Sequence, residues 1–245
     1  MNQRQKNILQ ILEREGEVTI KALAERLGVS EMTVYRDIEY LQEQRYAYKK
    51  RGAAMYIESG DRDSAKFYSG EKRAIGIKAA ALVSEGQSVI FDNSTTAMEC
   101  AKFFDPLKKY TFYATGLETA SVLAKYEKSV MYCSGGYYFA PSKGFVGSQA
   151  ESFVSSVNAD VCIIGASGVS AEKGITTPYP VHTTLQKAII RSARTRILVC
   201  DHSKFDKSAM EKICELNDID VIVTDSGLLN ETCEKYMKYV KIIKA

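Results

Sequence analysis

From residue 88 onward the chain repeats one pattern, a short apolar run rich in β-formers followed by a helix-like segment. The runs are "SVIFD", "YTFYAT", "SVMYCSG", "DVCIIG", "RILVCD", "DVIVTD" and "VKIIKA". Short apolar strands separated by helices pack best as a largely parallel sheet with helices on its faces. The pattern therefore predicts an α/β domain, entered through "EKRAIGIKAAALVSEG" with helical spacing of Ile75, Ala79 and Leu82. Ligands of such sheets bind beyond the C-terminal ends of the strands.

The first 57 residues follow a different rule. Ile8, Leu9, Ile11 and Leu12 share one helical face. In "GEVTIKALAERLGVS", Thr19 is an N-cap, Val18 can staple onto Leu23, and Gly28 closes the helix. Ser30 caps a third helix, in which Val34, Ile38 and Leu41 face inward. Glu31, Met32, Thr33, Tyr35, Arg36 and Glu39 are left at the rim or in solvent. Two short helices joined by a tight turn suit helix-turn-helix geometry, which inserts the start of the second helix into the DNA major groove. Thr33 and Tyr35 can bond phosphates, and Arg36 a phosphate or guanine. Next, "RYAYKKRGAAMYI" (45–57) reads as a hairpin with Lys49, Lys50 and Arg51 at its tip, a wing. Residues 58–70, polar and aperiodic, read as a linker.

Composition narrows the options. The net charge of +3 is too small to argue for nucleic acid, and residues 1–57 hold ten Lys/Arg against eight Asp/Glu. A DNA interface must therefore rest on where charges sit. No run is long and apolar enough for a transmembrane helix. The N-terminus lacks the apolar core of a signal peptide, and the six cysteines show no zinc or redox spacing. The expectation is a cytoplasmic chain with reduced thiols and no metal or cofactor. Cys133, Cys162 and Cys200, in apolar runs, are expected to be buried.

Several loops at the expected strand ends could hold a ligand. "DNSTTAMECAKFF" places the hydroxyls of Ser94, Thr95 and Thr96 where they could hold a phosphate or simply cap a helix. "SGG" (134–136), "GASG" (165–168) and Gly174 could allow close backbone approach. Lys204 in "DHSKF" could neutralise a phosphate. A catalytic reading would need a base and an electrophile, and Asp92, Asp201 and Lys204 are of the right types. No spacing fixes a base, however, and His182 and His202 read as bystanders.

The N-terminal stretch, "RQKNILQILEREGEVTIKALAERLGVSEMTVYRDIEYLQEQRYAYKKRGAA", resembles the winged helix of DeoR-type transcriptional regulators. There "VSEMTVYRDIEYL" matches the recognition helix V-S-x-x-T-I-R-R-D-L, with Tyr35 in place of an Arg and "RGAA" in place of H-G-G-A. The segments "GQSVIFDNSTTA", "SGG", "GFVGSQA", "ADVCIIGASGVSAEKGITT" and "DHSKFDKSAM" resemble that family's sensor domain, whose fold is similar to ribose-phosphate isomerases. The resemblance implies a DNA-binding repressor of a sugar or polyol operon, a homo-oligomer (dimer or tetramer), controlled by a phosphorylated sugar. Its DNA-binding residues would be Ser30, Thr33, Tyr35, Arg36, Lys49, Lys50 and Arg51. Its effector groups would be Asp92, Ser94, Thr95, Thr96, Gly135, Gly136, Gly165, Asp201 and Lys204. Three departures stand out. Thr115-Gly116 replaces T-N, His182 replaces a Glu, and Gln186-Lys187 replaces a Lys-Arg pair, leaving Lys187 as the cation there. The implied domains are 1–57 for DNA, a 58–70 linker, and 71–245 for sensing and oligomerisation. A sugar-phosphate isomerase-like enzyme and a protein-docking scaffold are the competing readings.

Overall fold

The computed structural model describes residues 1–44, 46–56 and 69–245. Arg45, Ile57 and linker residues 58–68 lie outside the described residues. The chain divides into two units, Met1–Phe67 and Tyr68–Ala245.

In the first unit the helix boundaries follow from caps. Helix α1 (Gln3–Glu15) opens on Asn2, whose side chain accepts from the Gln5 amide while the Gln5 side chain accepts from the Asn2 amide. Helix α2 (Ile20–Leu27) opens on Thr19 and ends on Gly28 in the left-handed region. Helix α3 (Glu31–Glu43) opens on Ser30. Ile8, Leu12, Val18, Leu23, Val34, Ile38 and Leu41 are buried together. Residues Glu17–Thr19 form a short strand, β1, that the sequence reading passed over as a lead-in to α2. It pairs with β3 (Ala53–Tyr56), which also pairs with β2 (Ala47–Lys50), so the wing is three-stranded. Asp37 on α3 is buried and accepts from the Arg4 guanidinium and from Gln5 Nε2 (3.2 Å), which fixes α3 against α1.

The second unit begins with α4 (Ser69–Ala80), so Ser69 and Gly70 open a helix rather than end a linker. Ile75 and Ala79 are buried, but Leu82 lies beyond the helix end and is exposed. Then follow β4 (Ser88–Phe91), α5 (Thr95–Cys100), β5 (Thr111–Ala114), α6 (Leu117–Leu123), β6 (Val130–Cys133), β7 (Tyr137–Phe139), β8 (Gly144–Val146) and α7 (Ser148–Ser155). Next come β9 (Ala159–Ile164), β10 (Gly168–Ser170), β11 (Gly174–Thr177), α8 (Pro180–Arg191) and β12 (Ala193–Val199). The unit closes with β13 (Glu211–Cys214), β14 (Val221–Thr224), α9 (Asn230–Met237) and β15 (Lys241–Lys244).

All seven apolar runs fall in one parallel sheet, ordered β15-β14-β12-β9-β4-β5-β6. Along β9 the side chains alternate between two cores: Cys162 and Ile164 face one, Val161 and Ile163 the other. Both faces are covered, which is why these strands read as continuous apolar runs. The chain winds outward from β4 through β5 to β6, then returns to β9 and winds the other way. The order therefore reverses between β4 and β9, and in doubly wound sheets the strand ends at such a reversal are where ligands bind. Cys162 and Cys200 are buried as expected, but Cys133 is exposed. It lies on β6, the edge strand of the sheet among the described residues, a position that the composition of the run does not encode. Among the described residues no helix is long and apolar enough to cross a membrane.

Candidate DNA interface and effector site

On the first unit, the start of α3 presents a polar face. Ser30 Oγ accepts from the Thr33 amide (3.2 Å) and lies 2.9 Å from Thr33 Oγ1. Met32 and Arg36 are exposed, and Arg36 has no ion-pair partner among the described residues. Tyr35 is half-buried and packs on the core cluster, with Lys49 Nζ 4.6 Å from its ring centre. Its role is thus partly structural. The expected triple-cation tip needs correction. Lys49 and Lys50 are strand residues, and alternation along the strand sends them to opposite faces. Lys49 reaches Glu39 at 3.6 Å and Lys50 reaches Glu17 at 3.2 Å. Only Arg51 sits in the turn, beside Gly52. Arg51→Ala is therefore expected to lower the slope of log affinity against log salt by about one, and Lys50→Ala by clearly less. Equal slope changes in a salt titration would contradict this ranking.

On the second unit, Asp92 stands at the reversal point and is 1% exposed. Its carboxylate accepts from the Ser94 amide (2.9 Å), the Gly165 amide (2.9 Å) and Gln186 Nε2 (3.4 Å). It thus joins the loop after β4 to the loop after β9 and to α8. Burial pushes its carboxyl above the usual range, while the hydrogen bonds from Ser94, Gly165 and Gln186 pull it down. Ser94 caps α5, accepting from the Ala97 amide. A Cβ on Gly165 would lie 2.4 Å from Ser94 Cβ and Oγ, so only glycine fits. Thr95 is half-buried and Thr96 buried.

Asp201 follows β12, one strand beyond β9. It is 1% exposed, and its Oδ1 accepts from the amide and hydroxyl of Ser203. Lys204 Nζ is 4.0 Å from its Oδ2. Gly135 and Gly136 follow β6, two strands from β4 on the other side. Gly136 has φ +104°, and a Cβ there would come 2.7 Å from the Val146 carbonyl, so it serves the packing of the β7–β8 hairpin. Gly168 and Gly174 belong to the small β10-β11-β13 sheet, where a Cβ would meet Thr176 Oγ1 at 2.6 Å and the Cys214 carbonyl at 2.3 Å respectively. Both glycines thus serve the packing of that sheet. Lys187 is a second correction: it is exposed, because Leu185, Gln186, Ala188 and Ile189 take the inner face of α8 and the helix turns Lys187 away.

The structure also gives partners to residues that the sequence reading passed over, such as Asn93, or set aside as bystanders, such as His182 and His202. Asn93 Nδ2 donates to the Ser142 carbonyl (3.0 Å), and its side chain fills the space beside Gly144. A Cβ on Gly116 would lie 2.9 Å from Asn93 Cα, so the glycine in place of an Asn there has a steric cause. His182 is a helix residue, 2% exposed, with Nε2 2.6 Å from Ser142 Oγ and its ring edge-on to Phe139 and Tyr179. His202 Nδ1 pairs with Asp225 Oδ2 at 2.7 Å.

The two histidines titrate in opposite senses. Desolvation lowers His182 from 6.5 to about 4. Between those pH values the unfolded state binds the extra proton, so stability rises with pH, and it is lost as pH falls from about 6.5 to 4. The loss reaches at most about 3 kcal/mol. The hydrogen bond with Asp225 raises His202, whose contribution is complete below 6.5 and lost as pH rises through the folded value. Urea unfolding at pH 7 and 4.5 should show a smaller acid loss for His182→Gln than for the wild type. Equal losses would contradict the buried neutral imidazole.

A helix-turn-helix unit carried with a doubly wound α/β unit whose polar loops meet at its reversal point is the make-up of a DNA-binding regulator with a sensor domain. The chain belongs to the DeoR family. Residues 4–60 match the DeoR-like helix-turn-helix domain and residues 68–226 the DeoR C terminal sensor domain. The chain is similar to the transcriptional repressor AccR of Agrobacterium fabrum, with 33% identity over 91% of this chain and 89% of that protein. It is 29% identical to the glycerol-3-phosphate regulon repressor of Haemophilus influenzae, over 97% of this chain and 95% of that protein. Both relatives are named as repressors. Ribose 5-phosphate isomerase A of Methanocaldococcus jannaschii overlaps 55% of this chain and 53% of its own, at 16% identity and a TM-score of 0.41, too little to bear on function.

Proposed function

We propose that this chain represses a sugar or polyol catabolic operon under the control of a phosphorylated sugar or polyol. The observation that carries the reading is the junction at the β4–β9 reversal, where Asp92 ties the Ser94 loop to Gly165. Polar loops joined at the strand ends of a doubly wound sheet, on a chain of a repressor family, are suited to sensing. A similar protein named for the glycerol-3-phosphate regulon supports a phosphorylated polyhydroxyl compound as the class. In this reading residues 1–57 hold DNA through Ser30, Thr33, Tyr35, Arg36 and Arg51. Residues 71–245 hold the effector, with Ser94, Thr95, Thr96 and Lys204 toward its phosphate, and build the oligomer. A two-fold oligomer would set two recognition helices about one DNA turn apart. The effector acts by binding the DNA-competent and DNA-incompetent states unequally.

The test is footprinting on the DNA upstream of the protein's own transcription unit, with turnover of sugar phosphates followed in parallel. Protection of a repeated half-site without product formation is expected. Product formation without protection would overturn the proposal. Lys204→Ala should weaken the effector response roughly tenfold or more, the value of a charge-assisted bond, while protection persists. An unchanged dose response would remove Lys204 from the site.

A further inference from the structure

The inner face of α8 carries two polar side chains whose surroundings are half complete. Gln186 is 7% exposed. Its Nε2 donates to Asp92, which fixes the amide orientation, because the reversed amide would set its oxygen against a carboxylate. Its Oε1 is then left buried without a hydrogen-bond partner among the described residues. One turn earlier, His182 Nε2 meets Ser142 Oγ, and that hydroxyl also reaches the Phe139 carbonyl. If Ser142 donates to the carbonyl, it accepts from Nε2–H, and His182 Nδ1 is a bare acceptor. Nδ1 is likewise buried without a partner.

Both residues are tied to the same loop. Gln186 reaches Asp92 directly, and His182 reaches Asn93 through Ser142, whose carbonyl accepts from Asn93 Nδ2. A third bare acceptor, Asp201 Oδ2, lies at the end of β12, next but one to β4. Lys204 Nζ at 4.0 Å is too far to count as a hydrogen-bond donor to it. Leaving buried acceptors unmet costs about 1–3 kcal/mol each, so a ligand that meets them gains that back. Two carboxylates, Asp92 and Asp201, are buried at the ends of β4 and β12. A ligand end that brings hydroxyl donors and no negative charge matches these acceptors, and one that brings a carboxylate opposes them.

We propose that His182 and Gln186 read the hydroxyl end of the effector, so that the ligand is a phosphorylated sugar or polyol with free hydroxyls there and not a phosphorylated sugar acid. The proposal rests on the reading that the β4–β9 reversal holds the effector. It assigns a purpose to two of the departures from the family pattern: a neutral amide and a neutral imidazole stand where charges are usual, and together they set ligand specificity.

The experiment is calorimetric titration of the full-length, DNA-free protein with matched pairs that differ by one –CH2OH replaced with –COO⁻. The pairs are glycerol 3-phosphate with 3-phosphoglycerate, and glucitol 6-phosphate with 6-phosphogluconate. Ribose 5-phosphate and inorganic phosphate complete the set. Expected is binding of at least one hydroxyl compound, with its acid counterpart roughly tenfold or more weaker. In Gln186→Met, an apolar side chain of similar length, the hydroxyl compound should lose roughly tenfold while inorganic phosphate binds as before. In Gln186→Lys the acid counterpart should gain. Acid and hydroxyl members binding equally to the wild type, a test that needs no variant, would overturn the hydroxyl assignment alone. So would an unchanged hydroxyl affinity in a Gln186→Met protein of normal melting temperature. Binding of none of the set, inorganic phosphate included, would overturn the effector site itself and this proposal with it.

Discussion

Arg36→Ala is expected to lose roughly ten- to a hundredfold in operator affinity. The Arg36 guanidinium is exposed on α3, six residues beyond the Ser30 cap, with no ion-pair partner among the described residues. A bidentate contact from that position to a guanine edge is worth about 1–3 kcal/mol of discrimination. The variant should fold normally, because exposed substitutions that break no cap or core contact change stability by only about ±0.5 kcal/mol. Anisotropy titrations of operator and scrambled DNA at one salt concentration check this. The gap between the two sequences should shrink in the variant. An affinity within twofold of the wild type would mean that α3 does not read the operator through Arg36.

Gly165→Ala is expected to damage the second unit most for its size. The new methyl would sit 2.4 Å from Ser94 Cβ and Oγ. Ser94 cannot swing away cheaply. Its Oγ caps α5 and its amide is held by Asp92. The loop after β4 or the loop after β9 must therefore move, and with it the Gly165–Asp92 bond. Overpacking of this kind costs about 1–3 kcal/mol. Because the damage lies in the proposed effector site, the response to metabolite should also vanish. Thermal melts with and without sugar phosphate measure both effects. A variant that melts at the wild-type temperature and responds normally would show that Ser94 and Gly165 are not so tightly opposed.

Local features were legible in the sequence because their causes are local. The Thr19 and Ser30 caps, the Gly28 stop and the seven apolar runs each depend on residues a few positions apart. The exposure of Lys187 was also available, since Leu185, Ala188 and Ile189 already define the inner face of α8. Family resemblance drew attention to its charge, and the periodicity pointed the other way. The contacts of Gln186 with Asp92, His182 with Ser142 and Asp37 with Arg4 were not legible. They join residues 94, 40 and 33 positions apart, and no spacing rule reaches that far. Cys133 was misread for a related reason: "SVMYCSG" has the composition of an interior strand, but its place at the sheet edge is decided by strand order. The pairing of Lys49 with Glu39 and Lys50 with Glu17 likewise needed the wing's register and its unexpected third strand.

The central claim, that DNA affinity on one unit is controlled by a metabolite bound to the other, is tested most directly by anisotropy on labelled operator DNA. The titration is run at fixed salt, without and with each sugar phosphate at saturation. One compound should shift the operator dissociation constant by roughly five- to 150-fold, a typical coupling of about 1–3 kcal/mol. By reciprocity, operator DNA should shift the affinity for that compound by the same factor. Selective operator binding that every sugar phosphate leaves unmoved would contradict the account.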